Sequence, residues 1–144
     1  MDILEALRLA AATGCGIQIG GLLLLSLFHR PLFEHWPFDL EISWLFKRFY
    51  RFNTIITILS GVLAILAGAR SSGFLLAVLG MTYILLLTHW LPAVANQHHQ
   101  LNNKTYKKLK RSPTEILTLL KKIQTVAHFS QLLALIYIVY LLMT

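Results

Sequence analysis

Charged side chains are scarce in this sequence, and their scarcity excludes an ordinary water-soluble domain. Only 13% of the 144 residues are charged, whereas 56% are hydrophobic and the mean hydropathy is +0.64. Soluble domains have about 25% charged residues and roughly 45–50% apolar ones. The composition therefore predicts a polytopic membrane protein.

The sequence also has little of what catalysis usually requires. Cys15 is the single cysteine, so no disulfide framework forms, and the patterns HxxH, CxxC and HExxH do not occur. There is no phosphate-binding glycine loop and no carboxylate dyad, and Asp39, Glu41 and Glu115 fall in interfacial or loop positions. Catalysis needs positioned groups. These features favour a non-catalytic protein.

Apolar runs dominate the remainder of the chain. A membrane-spanning helix needs about 20 apolar residues. Four runs meet that length approximately, near residues 9–28, 52–69, 74–91 and 123–143. The second and third runs are separated only by residues 70–73, so they should form an antiparallel hairpin. We therefore predict an all-α, integral membrane four-helix bundle, with residues 1–144 as a single transmembrane domain.

Three local signals refine the predicted helices. Proline cannot continue the hydrogen bonds of a helix, so Pro31 should end the first span. Residues 42–49 have one apolar and one charged face, which predicts an interfacial amphipathic helix before span two. Pro113 and Glu115 belong to a capping-box pattern, so the last helix should begin at Pro113.

The basic residues are distributed unevenly. Eleven of the 13 Lys and Arg residues lie in or beside the two long loops after spans one and three, and only Arg8 and Arg70 lie on the opposite side. Basic residues mark the cytoplasmic side of membrane spans. We expect a bacterial inner-membrane protein whose long loops are cytoplasmic and whose termini are both periplasmic. Residues 1–8 lack the basic start of a cleavable signal peptide, so the first span should be retained.

The net charge of +7 fits this membrane topology better than it fits nucleic-acid binding. The basic residues lie between spans, and the sequence has no soluble module that could hold a nucleic acid. The run of Lys and Arg at 104–111 should instead contact anionic lipids.

Small side chains mark the faces where helices should pack. Span one has Ala12, Gly16 and Gly20 at four-residue spacing, which allows another helix to approach closely. We expect that helix to belong to the same bundle, with a dimer contact as the alternative. Span two has a similar stripe that includes Gly61 and Ala64.

Polar side chains form a second kind of stripe. Gln124, His128 and Gln131 fall within one narrow strip of span four. Lipid is a poor environment for such a strip, so it should face other helices or a polar cavity. Thr82 and His89 are seven residues apart on span three and should likewise share a face.

Histidines cluster toward the predicted cytoplasmic side. His29, His89 and His128 lie near the ends of spans one, three and four, and His98 and His99 follow in the third loop. Imidazole commonly ligates haem iron, copper and zinc. His29, His89 and His128 are thus candidates for cofactor binding, and His89, His98, His99 and His128 for a metal. The alternative is structural, with buried His89 and His128 hydrogen-bonded to Thr and Gln side chains.

Four short motifs are spread over nearly the whole chain. They are HRPLF at 29–33, LFKRFY at 45–50, LP at 91–92 with Asn96, and VAHFS at 126–130. In this order they resemble a family of small four-helix bacterial membrane proteins of unknown function, which also includes a eukaryotic membrane protein linked to cisplatin resistance. The resemblance implies the fold and the topology, because that family has no agreed reaction.

A second, shorter similarity concerns FYR at 49–51 and LSG at 59–61. These residues resemble the haem-binding J-type protoporphyrinogen oxidase and the copper-resistance D membrane domain. The chain departs from the oxidase because its first span starts without a histidine, which argues against a haem oxidase role.

Two functions follow from the sequence. The first is a non-catalytic inner-membrane protein that acts as an accessory or structural subunit of a larger membrane complex or associates with anionic lipid. The alternative is a haem- or copper-binding redox or transport protein that uses the cytoplasmic-side histidines.

The topology can be tested by cysteine labelling in intact cells. A membrane-impermeant maleimide added from outside should label Thr144→Cys but not Asn103→Cys, because position 144 is predicted to be periplasmic and position 103 cytoplasmic. Labelling at position 103 would refute the predicted orientation.

Overall fold

The chain folds into long α-helices. The computed structural model describes the backbone of residues 2–34, 40–96 and 113–144, and the side chains of residues 2–25, 45–96 and 115–144. The helices within these ranges are α1 (Ile3–Glu34), α2 (Leu40–Leu66), α3 (Arg70–Leu85) and α4 (Pro113–Met143). A π-helical turn, Leu86–Trp90, continues α3, and helical backbone extends from it to residue 96. The predicted all-α four-helix fold is confirmed.

Within the described ranges, four helical segments are long and apolar enough to cross a membrane. These segments are Ile3–Leu25, Leu45–Leu66, Arg70–Asn96 and Glu115–Met143, the third of which continues from α3 through the π-helical turn. They overlap the four predicted apolar runs, and each begins four to eight residues before the predicted start. The chain is therefore a multi-pass membrane protein.

Two predicted boundaries differ from the structure. Helix α1 continues through Pro31 to Glu34, so this proline does not end the helix. A single proline removes one backbone donor, and a helix in which only that bond is lost can continue. The amphipathic segment before span two is helical, but it forms the start of α2 and not a separate element. The predicted start of the last helix at Pro113 agrees with α4.

A tight turn joins α2 to α3. Gly68 adopts a positive φ of 79°. Its amide donates to the Ile65 carbonyl at 3.0 Å, and the Ala69 amide donates to the Ala64 carbonyl at 2.9 Å. This is a Schellman cap, which satisfies carbonyls left over at the end of a helix. The turn is residues 67–69, whereas residues 70–73, predicted as the link, form the first turn of α3.

The bundle buries several polar side chains in its apolar interior and exposes large apolar ones on its surface. Leu24 on α1 and Phe129 on α4 are 59% and 62% exposed. Gln18 and Gln124 on the same two helices are completely buried. Lipid is apolar and offers polar groups no hydrogen bonds, so exposed apolar side chains and buried polar ones are the stable arrangement.

The small residues of α1 do not pack where the sequence analysis expected. Gly16 and Gly20 are exposed, and a Cβ atom at either position would meet no atom of another described residue within 4 Å. The buried ridge of α1 lies on the opposite side of the helix and comprises Ala11, Cys15, Gln18 and Leu22. The expectation that Gly16 and Gly20 pack inside this bundle was therefore wrong. On α2, by contrast, Gly61 and Ala64 are buried.

The π-helical turn changes the face that α3 presents. The Leu91 amide donates to the Leu86 carbonyl, five residues back. Pro92, which has no amide hydrogen, follows directly and favours such a local change. A turn with more residues rotates less per residue. Thr82 is accordingly half-buried while His89 is exposed, so the predicted common face for these two residues was wrong.

Two glycines provide a matched test of this fold. Gly68→Ala should lower the free energy of unfolding by about 1 kcal/mol, because a Cβ atom is strained at positive φ. Gly16→Ala should raise it by about 0.5–1 kcal/mol, because position 16 is helical and has open space around it. Unfolding of both variants in the same lipid environment measures the difference, and equal shifts would contradict the assigned turn.

Candidate functional site

Polar side chains from all four helices meet in the interior of the bundle. We call this set the polar core. Its members are Gln18 on α1, Tyr50, Asn53 and Thr57 on α2, Thr82 and Tyr83 on α3, and Gln124, His128 and Gln131 on α4. All except Thr82, which is half-buried, are at most 5% exposed. The polar core is the strongest candidate for a functional site among the described residues.

Helical periodicity explains how each helix contributes to the polar core. On α2, Tyr50, Asn53 and Thr57 have offsets of three and seven residues, so they lie on one side. On α4, Gln124, His128 and Gln131 have offsets of four and seven residues and likewise lie on one side. Helices α2 and α4 therefore each offer a polar strip, whereas α1 contributes Gln18 alone and α3 contributes the neighbours Thr82 and Tyr83. The burial of these side chains fixes which sides of the helices face inward.

Tyr50 connects α2 to α4 through two hydrogen bonds. Gln124 Nε2 donates to the Tyr50 hydroxyl at 3.0 Å, and the same hydroxyl lies 2.9 Å from His128 Nε2. Because the hydroxyl oxygen accepts from Gln124, its single proton is available for His128. In the tautomer that carries its proton on Nδ1, His128 accepts this hydrogen bond through Nε2.

Aromatic rings surround the Tyr50 side chain. The ring centroids of Phe46 and Trp90 lie 6.2 Å and 6.3 Å from the centroid of Tyr50. The Trp90 indole also donates from Nε1 to the Leu120 carbonyl at 2.9 Å, which ties the π-helical turn to α4. These contacts hold the Tyr50 ring on the inside of the bundle and so position its hydroxyl at His128.

Two further hydrogen bonds connect the remaining helices. The Thr57 hydroxyl donates to Gln18 Oε1 at 2.9 Å, between α2 and α1. Gln131 Nε2 donates to the Thr82 hydroxyl at 2.9 Å, between α4 and α3. Hydrogen bonds between membrane helices contribute about 0.6 to 2 kcal/mol each. The polar core therefore stabilises the bundle and determines how its helices are rotated.

The structure places the candidate residues from the sequence analysis in different environments. Gln124, His128 and Gln131 lie inside the bundle. His89 is exposed on the outer side of the π-helical turn, so it is not the buried, hydrogen-bonded residue that the structural alternative assumed. The side chain of His29, and both His98 and His99, lie outside the described residues.

The predicted haem or copper site remains a prediction. Among the side chains described here, no three His, Cys, Asp or Glu residues are grouped so that they could hold a metal ion. His128 Nε2 already has Tyr50 as a partner, so ligation through this atom would require the imidazole to leave that hydroxyl.

Two residues of the polar core, Tyr50 and Tyr83, were not among the candidates from the sequence. Tyr50 directly follows the predicted interfacial helix at 42–49, although its spacing from Asn53 and Thr57 places all three on one side of a continuous helix. Tyr83 had no signal, because a tyrosine in an apolar run is equally compatible with a lipid-facing position. Only the packing of the helices shows that both hydroxyls point inward.

Comparison with known proteins gives no match to a family model, a curated protein or a solved structure. The family resemblance carried by the short motifs at 29–33, 45–50, 91–96 and 126–130 therefore stays a prediction.

Substitutions at His128 separate a structural role from ligand binding. His128→Leu should lower the free energy of unfolding by about 1–2 kcal/mol, because Tyr50 loses its hydrogen-bond acceptor in an apolar interior. His128→Gln should have a smaller effect, because its amide oxygen can accept from Tyr50. Combined with Tyr50→Phe, His128→Leu should cost less than it does alone, since the shared hydrogen bond is already absent.

The same variants test metal binding by His128. Haem or copper content that falls equally in His128→Gln and His128→Leu would show that the imidazole is a ligand, because an amide does not replace it at either metal. Content unchanged in both variants would remove His128 from the candidate ligands.

Proposed function

We propose that this protein is a non-catalytic, multi-pass protein of the bacterial inner membrane that acts as an accessory subunit of a larger membrane complex. The observation that carries the proposal is the outer face of α1. There, Gly16 and Gly20 form a small-residue surface that no described helix of the bundle covers.

The outer face of α1 has the features of a helix-packing surface. Two glycines four residues apart allow the backbone of another membrane helix to approach closely, which increases van der Waals contact between them. Thr13, one turn before Gly16, is also exposed, and its hydroxyl donates to the Leu9 carbonyl of its own helix at 2.8 Å. This part of α1 thus presents small side chains to the lipid, between the larger exposed side chains of Leu9 and Leu23.

The hydrogen bonds inside the bundle support the same accessory role. The polar core uses its side chains to connect α1 with α2, α2 with α4, and α3 with α4. These interactions assemble the bundle without help from the outer face of α1. That face is therefore available for a partner, and blocking it should not unfold the protein.

The expected orientation of the bundle in the membrane is compatible with association with a partner complex. A surface cavity of about 360 Å³ is lined by Glu5, Arg8 and Leu9 from the start of α1 and by Leu142, Met143 and Thr144 from the end of α4. The two ends of the chain thus lie on one side of the bundle, as an even number of spans requires. We propose that this side is periplasmic and that the basic loops contact anionic lipid and the partner complex on the cytoplasmic side.

Site-specific photo-crosslinking in native membranes tests the proposal. A photoreactive residue at Leu23, which is exposed on the same side of α1 as Gly16 seven residues earlier, should give one discrete adduct with a different membrane protein. Gly16→Leu should abolish that adduct, because its side chain prevents close approach. Ala10→Leu should preserve the adduct, because Ala10 is exposed on α1 about 120° around the helix from Gly16.

The Tm is measured for Gly16→Leu and, for comparison, for Gly61→Leu in the buried face of α2. Gly16→Leu should not lower the Tm, whereas Gly61→Leu should lower it, because a Cβ atom at Gly61 would already contact Leu76 Cβ at 3.6 Å. Adducts formed only with lipid, or only with a second copy of this chain, would contradict an accessory role. A Soret band or stoichiometric copper in the purified protein would support the alternative function in redox chemistry or transport.

A further inference from the structure

Four polar atoms of the polar core have no hydrogen-bond partner among the described residues. They are Gln18 Nε2, Asn53 Nδ2, Tyr83 OH and Gln131 Oε1. Each belongs to a different helix, and the four side chains are at most 3% exposed. Buried polar groups are nearly always hydrogen-bonded, since an unpaired one costs about 1–3 kcal/mol. Four such atoms in one membrane bundle therefore require an explanation.

The four atoms belong to one connected region. Gln18 is bonded to Thr57, one helical turn from Asn53. Asn53 is in turn three residues from Tyr50, whose ring centroid lies 6.5 Å from that of Tyr83. Gln131 is bonded to Thr82, the neighbour of Tyr83. On α2 the region extends from Tyr50 to Thr57, about 10 Å along the helix axis.

Gln131 has an unpaired atom in either orientation of its side-chain amide. The Thr82 hydroxyl donates its only proton to the Leu79 carbonyl at 2.6 Å. Thr82 then accepts from the Gln131 NH₂ group at 2.9 Å, and Gln131 Oε1 is the unpaired atom. If Thr82 donates to Gln131 instead, the amide must turn its oxygen to Thr82, and its NH₂ group becomes the unpaired atom.

Gln18 retains an unpaired atom in either orientation of its amide. The Thr57 hydroxyl is within hydrogen-bond distance of both Gln18 Oε1 at 2.9 Å and the Asn53 carbonyl at 2.6 Å. If Thr57 donates to Gln18, the Gln18 NH₂ group has no partner. If Thr57 donates to the Asn53 carbonyl, Gln18 must turn its NH₂ group to Thr57, and its oxygen becomes the unpaired atom.

The chemistry of these groups defines what they can bind. They offer amide donors from α2 and α1, a hydroxyl from Tyr83 that donates or accepts, and a carbonyl acceptor from Gln131. The polar core has no carboxylate to hold a cation and no ammonium or guanidinium to hold an anion. A small neutral molecule that both donates and accepts satisfies all of them, and water is the smallest such molecule.

We propose that the polar core is an internal water-binding site, in which one or more bound water molecules connect Gln18, Asn53, Tyr83 and Gln131 across the four helices. A buried water typically makes about three hydrogen bonds to otherwise unsatisfied groups. Bound water thus completes the hydrogen bonding of these four buried side chains. The site is independent of the proposed partner surface, which lies on the opposite side of α1.

Removing one hydroxyl distinguishes a bound water from a truly unpaired group. Tyr83→Phe deletes only the phenolic oxygen. If that oxygen bonds to water, the variant should lose about 3 °C or more in Tm in lipid nanodiscs. Tyr137→Phe is the matched control, because Tyr137 is 54% exposed on α4 and should give little change. A Tm for Tyr83→Phe that equals or exceeds the wild-type value would overturn the proposal.

A direct measurement on the unaltered protein gives a second, independent test. In nanodiscs with deuterated lipid, the side-chain amide protons of Asn53 should show magnetisation transfer with water by NMR, and the transfer should weaken in Tyr83→Phe. Absence of this transfer at Asn53 would overturn the proposal. Detection by native mass spectrometry of a stoichiometric small molecule other than water, lost in Tyr83→Phe, would also overturn it.

Discussion

A hydrogen-bonding group has no partner in the hydrocarbon of a membrane, and the arrangement of this bundle depends on that constraint. Each of the four helices carries at least one polar side chain of the polar core, and these side chains can avoid lipid only by facing one another. This requirement fixes the rotation of every helix about its own axis. Tyr50 has the central position, since its hydroxyl interacts with both Gln124 and His128 on α4.

The same constraint explains why polar residues and glycines have opposite locations on α1. Gln18 is completely buried and bonded to Thr57, whereas Gly16 and Gly20 are exposed. A glutamine in lipid would lose its hydrogen bonds, while a glycine there loses only packing. The side of α1 that carries the polar side chain therefore faces the interior of the bundle, and the side that carries the glycines faces the lipid. The small-residue surface is left outside, where it supports the proposed association with another membrane protein.

The histidines illustrate how strongly local backbone geometry affects a candidate site. His89 and His128 were equivalent candidates by sequence, yet one is exposed and the other is buried against Tyr50. The difference arises at the π-helical turn Leu86–Trp90, which rotates the residues after α3 relative to α3 itself. That turn instead directs Trp90 inward, where its indole reaches the Leu120 carbonyl.

The sequence by itself determined the number of helices, the start of α4 at Pro113 and the inward direction of Gln124, His128 and Gln131. These features depend on the length of apolar runs, on capping and on helical periodicity, which are all local properties of the chain. Only the tertiary structure decided that His128 pairs with Tyr50, that Gly16 and Gly20 face outward, and that His89 and Thr82 lie on different sides of their helix. Each of these depends on how one helix is rotated against its neighbours, and that rotation is set by contacts between residues far apart in sequence.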